Sequence, residues 1–169
     1  MVEHPLHKAV GKLLKDFAEN KNFEARLDPA CGGKQNIPLF CGPKAMTTRL
    51  CCVDAMLLKN GKVAAVIEIE ESNIKPTQIC GKYLTTALSS EYTHKNDEPI
   101  KINENSIDFI QILDTSSPHK EEQFENIKRA IEKINTCGCV KKYHIIGIDW
   151  KNKKDINKLE ELRKILSKI

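Results

Sequence analysis

No stretch of the chain approaches the roughly 18 uncharged apolar residues that a membrane-spanning helix needs. The opening segment MVEHPLHKAVGKLLKDF has no apolar core followed by a small-residue cleavage site, so a cytosolic protein is expected. No internal repeat, low-complexity tract or composition break divides the 169 residues, which together are one domain's length. Paired C-x₂₋₄-C spacing is missing, and seven cysteines are an odd number for a disulfide framework. A strong charge of one sign is missing too. With 27 Lys and Arg against 23 Asp and Glu the net charge is +4, compatible with a polyanionic partner but not diagnostic of one. Charged residues at 30% and hydrophobic residues at 40% exclude a disordered chain.

What is present alternates between helical and extended patterns. Pro5 suits a first helical position, and Leu6, Val10, Leu13, Leu14 and Phe17 follow at helical spacing. Phe23 to Leu27 reads as a short strand. Asp28 to Thr48 holds three prolines and three glycines and shows no period, so a long loop is expected there, of the kind that is functional or held by something. Leu50 to Leu58 reads as one buried strand. Asn60-Gly61 is a hairpin signal, since both turn positions need positive φ. Val63 to Glu70 is apolar on both faces until its end, as a central strand is. Pro76 opens a helix through Leu88, with Ile79, Cys80, Tyr83, Leu84, Ala87 and Leu88 on one face. Ser89 to Asn105 is polar and expected to be loop. Ile107 to Leu113 is a strand, and a helix from Pro118 follows with Phe124, Ile127, Ile131 and Ile134 as its stripe. Tyr143 to Ile148 is a strand, and a last helix spans about 155–168, with Ile156, Leu159, Leu162, Ile165 and Leu166 inward. The order α-β-β-β-α-β-α-β-α predicts an α/β domain with a mixed central sheet between helices.

Three carboxylates stand out. Asp54 interrupts an apolar strand, and Glu68 and Glu70 end the next one. Alternation along a strand puts Glu68 and Glu70 on one face. A two-residue turn at 60 and 61 pairs position 54 near 67, which brings Asp54 beside Glu68. Gathering buried like charges is costly unless a cation offsets them. Mg²⁺ takes hard oxygen ligands of this kind and, so placed, polarises a phosphodiester and lowers the pKa of an attacking water. A solvated acidic strand end is the alternative.

Asp54, a thirteen-residue spacer across a hairpin, then Glu68-Ile69-Glu70 and a helix resemble the PD-(D/E)xK nuclease core. The resemblance covers about residues 5–150 and implies a restriction-endonuclease-like αβββαβ core. It implies that Asp54 and Glu68 hold Mg²⁺, for which Mn²⁺ substitutes, with help from the Ile69 carbonyl. The chain departs from the pattern twice. Val53 replaces the usual Pro, and Glu70 replaces the tripeptide Lys. Glu-x-Glu occurs in some type II restriction endonucleases, so Glu70 is a candidate for the base or for a second metal ligand. Lys82 is the other candidate. Gln78 and Lys82 lie four residues apart on one helix face, and some nuclease families aim this face at the active site. Gly81 beside them costs about 1 kcal/mol in a helix interior relative to Ala, a hint of close packing or close substrate approach.

Lys34, Gln35, Asn36, Lys44 and Arg49 precede the acidic hairpin and are expected to contact DNA, the cations at phosphates and the amides at base edges. Lys75 at a helix start is a further phosphate candidate. Cys31, Cys41, Cys51 and Cys52 admit a structural zinc or iron–sulfur site, but without paired spacing Cys51, Cys52 and Cys80 read better as small core residues. His4 and His7 are expected at the surface, His94, His119 and His144 show no ligand spacing, and Glu19 is the first-helix candidate for an accessory acid. The expectation is a Mg²⁺-dependent endonuclease cutting double-stranded DNA as a homodimer, of the type II restriction kind. The alternatives are a repair nuclease or junction resolvase, a DNA-binding module that kept the fold without activity, and a metal-clamped regulatory protein built around Cys31, Cys41 and Cys51.

Overall fold

The computed structural model describes residues 4–71, 74–95, 97–131, 136–151 and 156–169. It is an α/β domain in three layers. The order is α1 (Pro5–Lys21), β1 (Glu24–Leu27), β2 (Ile37–Phe40), β3 (Arg49–Val53), β4 (Ala55–Lys59), β5 (Lys62–Glu70), α2 (Pro76–Ala87), β6 (Glu91–Tyr92), β7 (Ile100–Lys101), β8 (Ile107–Asp114), α3 (Pro118–Ile131), β9 (Val140–Ile148) and α4 (Ile156–Leu166). Of the residues expected in the last two helices, Ile134 and Asp155 lie outside the described residues, as does the Ile156 side chain.

The main sheet has the order β1-β4-β5-β8-β9. β1, β4 and β5 form an antiparallel meander, and β8 and β9 continue it in parallel. β5 is central and continuously buried from Ala65 onward, as its apolar run requires. α1 and α4 cover one face, where Leu6, Val10 and Leu14 pack with Leu162 and Leu166 on Ala55, Ile67 and Ile112. The other face carries α2, α3 and a small second sheet, β3-β2-β6-β7. No helix among the described residues is long and apolar enough to cross a membrane.

Three readings of the sequence need correction. Leu50–Leu58 is not one strand. The chain bends at Asp54, and β3 and β4 belong to different sheets. The segment 28–48 is not all loop, because β2 forms within it and pairs with β3 and β6. Likewise 89–105 contains β6 and β7. These strands are two to five residues long and β2 carries Pro38, so they show too little alternation to be read.

The Asn60-Gly61 turn forms as expected, with φ of 52° and 73°. One bulge at Leu57/Leu58 then shifts the register, so that Ala55 pairs with Ile67 and Asp54 falls opposite Glu68 rather than 67.

Two helical glycines differ in their reasons. A Cβ on Gly11 would overlap the Cys31 carbonyl, because α1 lies directly on the 28–33 loop. A Cβ on Gly81 would meet nothing within 4 Å, so packing within the chain does not require that glycine. Gly81→Ala is therefore expected to raise stability by about 1 kcal/mol. Gly11→Ala is expected to lower it by roughly 1–3 kcal/mol through overpacking, despite the better helix propensity. Urea melts of both variants check the opposite signs.

Candidate active site

The site lies at the C-terminal end of β5, just beyond the point where antiparallel β4 begins. Ala55, Leu57, Ile67 and Ile69 face α1. Alternation then turns Asp54, Glu68 and Glu70 to the α2 side, as the sequence implied. Glu68 is 2% exposed, and Glu70 is buried as well. Ile69 N–H donates to Asp54 Oδ2 at 2.7 Å, which fixes that carboxylate beside the strand end. In an extended strand the N–H and C=O of one residue point to the same edge, so the Ile69 carbonyl also faces Asp54.

α2 crosses over these acids. Gln78 Nε2 donates to Glu70 Oε2 at 2.7 Å. Lys82, one turn further, places Nζ 2.9 Å from Glu68 Oε2, 3.8 Å from Asp54 Oδ2 and 4.0 Å from Glu70 Oε2. Position 82 thus places an ammonium among the three carboxylates. Lys82 is the donor that Glu68 Oε2 meets there, and that oxygen is otherwise buried. Next to Glu68 on β8, the fully buried Gln111 accepts from Tyr143 Oη and donates to the Ile79 carbonyl, which closes the floor under α2.

The electrostatics follow from this crowding. Burial, and then the neighbouring charge of Asp54, push the Glu68 carboxyl up to about 8 from an ordinary 4.5, and Lys82 offsets only part of this. Burial alone would lower the Lys82 ammonium, but Glu68, Asp54 and Glu70 outweigh it and hold its pKa raised, so Lys82 stays charged.

Asp54 and Glu68, adjacent across the strand ends, are hard oxygen donors whose crowding raises the Glu68 pKa, and by its chemistry that donor set fits a Mg²⁺ ion with the Lys82 ammonium moved aside. Glu70 is held to the Gln78 side. Compared with family models, curated proteins and solved structures, the chain matches none.

The expected DNA contacts divide into two groups. Lys34 and Gln35 border a shallow pocket with Lys15 and Arg26. Their loop is tied to the site where Asp28 N–H donates to the Asp54 carbonyl at 2.9 Å. Exposed Lys75 stands at the head of α2. Lys44 and Arg49 lie at the opposite end of the β2–β3 hairpin, with Arg49 five residues from Asp54, or roughly 16 Å of extended chain. Lys44 Nζ donates to the Lys95 carbonyl there.

The four cysteines do not share a centre. Cys31 is buried in the α1 layer, where burial and the nearby Asp28 and Asp54 push its thiol up. Cys51 packs against the opposite core, Cys41 and Cys52 are exposed, and all are free. Cys51 and Cys80 are only half-buried, so the fully buried thiols are Cys31 and Cys139.

The histidine expectation also changes. His7 is buried, with Nδ1 3.0 Å from Glu71 Oε1 and Nε2 3.8 Å from Asp54 Oδ2. The α1 residue that reaches the site is therefore His7. Glu19, three turns further along the helix, is exposed. Lys120 was also missed in the sequence. It joins Asp114 at the end of β8 to the Glu71 carbonyl. Neither residue carried a signal of this role, because Glu71, which both of them meet, lies 64 residues from His7 and 49 from Lys120.

Proposed function

We propose that this chain is a Mg²⁺-dependent endonuclease that hydrolyses phosphodiester bonds in double-stranded DNA, of the type II restriction kind. The observation that carries the reading is the convergence of Asp54, Glu68 and Glu70 with Lys82 at one strand end. The succession α1-β1-β4-β5-α2-β8, with an antiparallel meander followed by a parallel strand, agrees with the restriction-endonuclease-like αβββαβ core that the motif resembles. Asp54, Glu68 and the Ile69 carbonyl would hold the cation, with Mn²⁺ able to replace Mg²⁺. A bound divalent ion supplies charge stabilisation of the phosphorane-like transition state and a water of lowered pKa.

The chain's own residues do the rest. Lys82 is an ammonium and not a base in this setting, so its part is to orient the water and counter the charge developing on phosphate oxygen. Glu70, oriented by Gln78, is the group placed to accept a proton from that water. Lys34, Gln35 and Lys75 hold the substrate beside the acids. Each chain carries one such centre, so cutting both strands calls for a homodimer.

Purified protein with plasmid and Mg²⁺ or Mn²⁺ tests the reading. Linear or nicked product that EDTA prevents is expected. Lys82→Ala is expected to slow cleavage by about 100-fold, the lower end of what a positioned proton-transfer or charge-stabilising group contributes. The Lys82 ammonium, seated where the cation would bind, favours one second reading, a DNA-binding module without activity. Binding without any metal-dependent product would select it. A repair nuclease or junction resolvase would instead prefer nicked or branched substrates to intact plasmid.

A further inference from the structure

The N-terminal end of α1 carries a second cluster, separate from the three acids around Lys82. His4 and His7 lie one turn apart, and Glu71 reaches them from the end of β5. One ligand atom from each lies within 4.8 Å of the others, and among the described residues no other group of three or more His, Cys, Asp or Glu does this. His7 Nδ1 is 3.0 Å from Glu71 Oε1, and His4 Nδ1 is 3.8 Å from Glu71 Oε2. Around a tetrahedral ion with bonds of about 2.0–2.1 Å, neighbouring ligand atoms stand about 3.3 Å apart, a spacing that small side-chain movements reach from atoms already within 4.8 Å of one another.

We propose that His4, His7 and Glu71 bind a divalent transition ion of the zinc and cobalt class. Three features point to that chemistry. Two imidazoles and one carboxylate favour such an ion over Mg²⁺, which prefers oxygen. The second ring nitrogen of His7 lies 3.8 Å from the Asp54 carboxylate, longer than a hydrogen bond but on the side where metal-bound histidines characteristically meet a carboxylate. Glu71 Oε1 is fixed by the His7 backbone N–H at 2.7 Å, so the ligand is already oriented and the positive end of α1 already answered. His4 is half-exposed, which leaves a coordination position open to water. Through His7 the ion would sit beside Asp54 without sharing the Asp54–Glu68 donors. The inference therefore does not depend on the nuclease reading.

The test is titration of the reduced, metal-stripped full chain with Co²⁺, read by visible absorption. One equivalent is expected to bind, with the weak bands of nitrogen and oxygen ligands, and to be displaced by Zn²⁺ but not by Mg²⁺. His4→Ala is expected to weaken binding at least about tenfold, as does loss of a ligand or its immediate support. Glu68→Gln, which disables the acidic centre, is expected to leave it unchanged. His4 makes no side-chain cap bond, so its loss spares the fold, which a melting curve verifies. Undiminished binding in His4→Ala, loss of binding in Glu68→Gln, or sulfur-to-metal charge-transfer absorption would each overturn the proposal.

Discussion

Replacing Asp54 with Ala should abolish Mg²⁺-dependent cleavage, with a loss of at least about 1,000-fold, while DNA binding stays within a few-fold of wild type. The magnitude follows from removing a preorganised charge at the reacting centre, where one lost group costs on the order of 10²–10³ in rate and a lost metal ligand costs more. Asp54 is the residue to test because it has two roles at one place. It faces Glu68 across the strand ends, and Ile69 N–H holds it there. Binding should survive, because the residues proposed to hold DNA, Lys34, Gln35 and Lys75, are on other elements. Gel shifts in Ca²⁺ or EDTA beside a plasmid assay in Mg²⁺ separate the two effects. Cleavage that persists in this variant removes the reading.

The second large effect is on stability and has a definite sign with pH. Glu68 titrates near 8 when folded and near 4.5 otherwise. Between those values the native state holds a proton that the unfolded state has lost, so raising the pH favours unfolding throughout that window and no further above it. Glu68→Gln lacks this titration. The variant should match wild type near pH 4.5, gain on it steadily towards pH 8, and keep the advantage above that. A shift of this size amounts to at most about 5 kcal/mol, or up to roughly 10–20 °C in melting temperature for a domain of this length. Mg²⁺ should stabilise the wild type at pH 8 more than at pH 5, because the ion competes with the proton for the same oxygens. Calorimetry of both proteins across pH 4.5–9 checks each part. Parallel curves for the two proteins would mean that Glu68 is not strained by burial.

Much of this centre was readable before any coordinates. Asn60-Gly61 announces the hairpin that brings positions 54 and 68 together, and the period of two puts Glu68 and Glu70 on one face. The four-residue step from Gln78 to Lys82 puts both over the acids, where they meet Glu70 and Glu68. What was not readable depends on distant pairing. The break at Asp54 is marked only by the Asp itself, because nothing local says that β3 and β4 pair in different sheets. The small sheet is built from strands too short for a pattern. His7 and Glu71 are 64 residues apart, and nothing near either one names the other. The single-residue bulge in the hairpin was equally silent, yet it places Asp54 opposite Glu68.

The most direct test is a crystal of the protein soaked in Mn²⁺ and measured at the manganese absorption edge. An anomalous peak bonded to Asp54 and Glu68, with the Lys82 ammonium moved aside, is the predicted result. An ammonium still seated among the three carboxylates, with no manganese beside them, would contradict it.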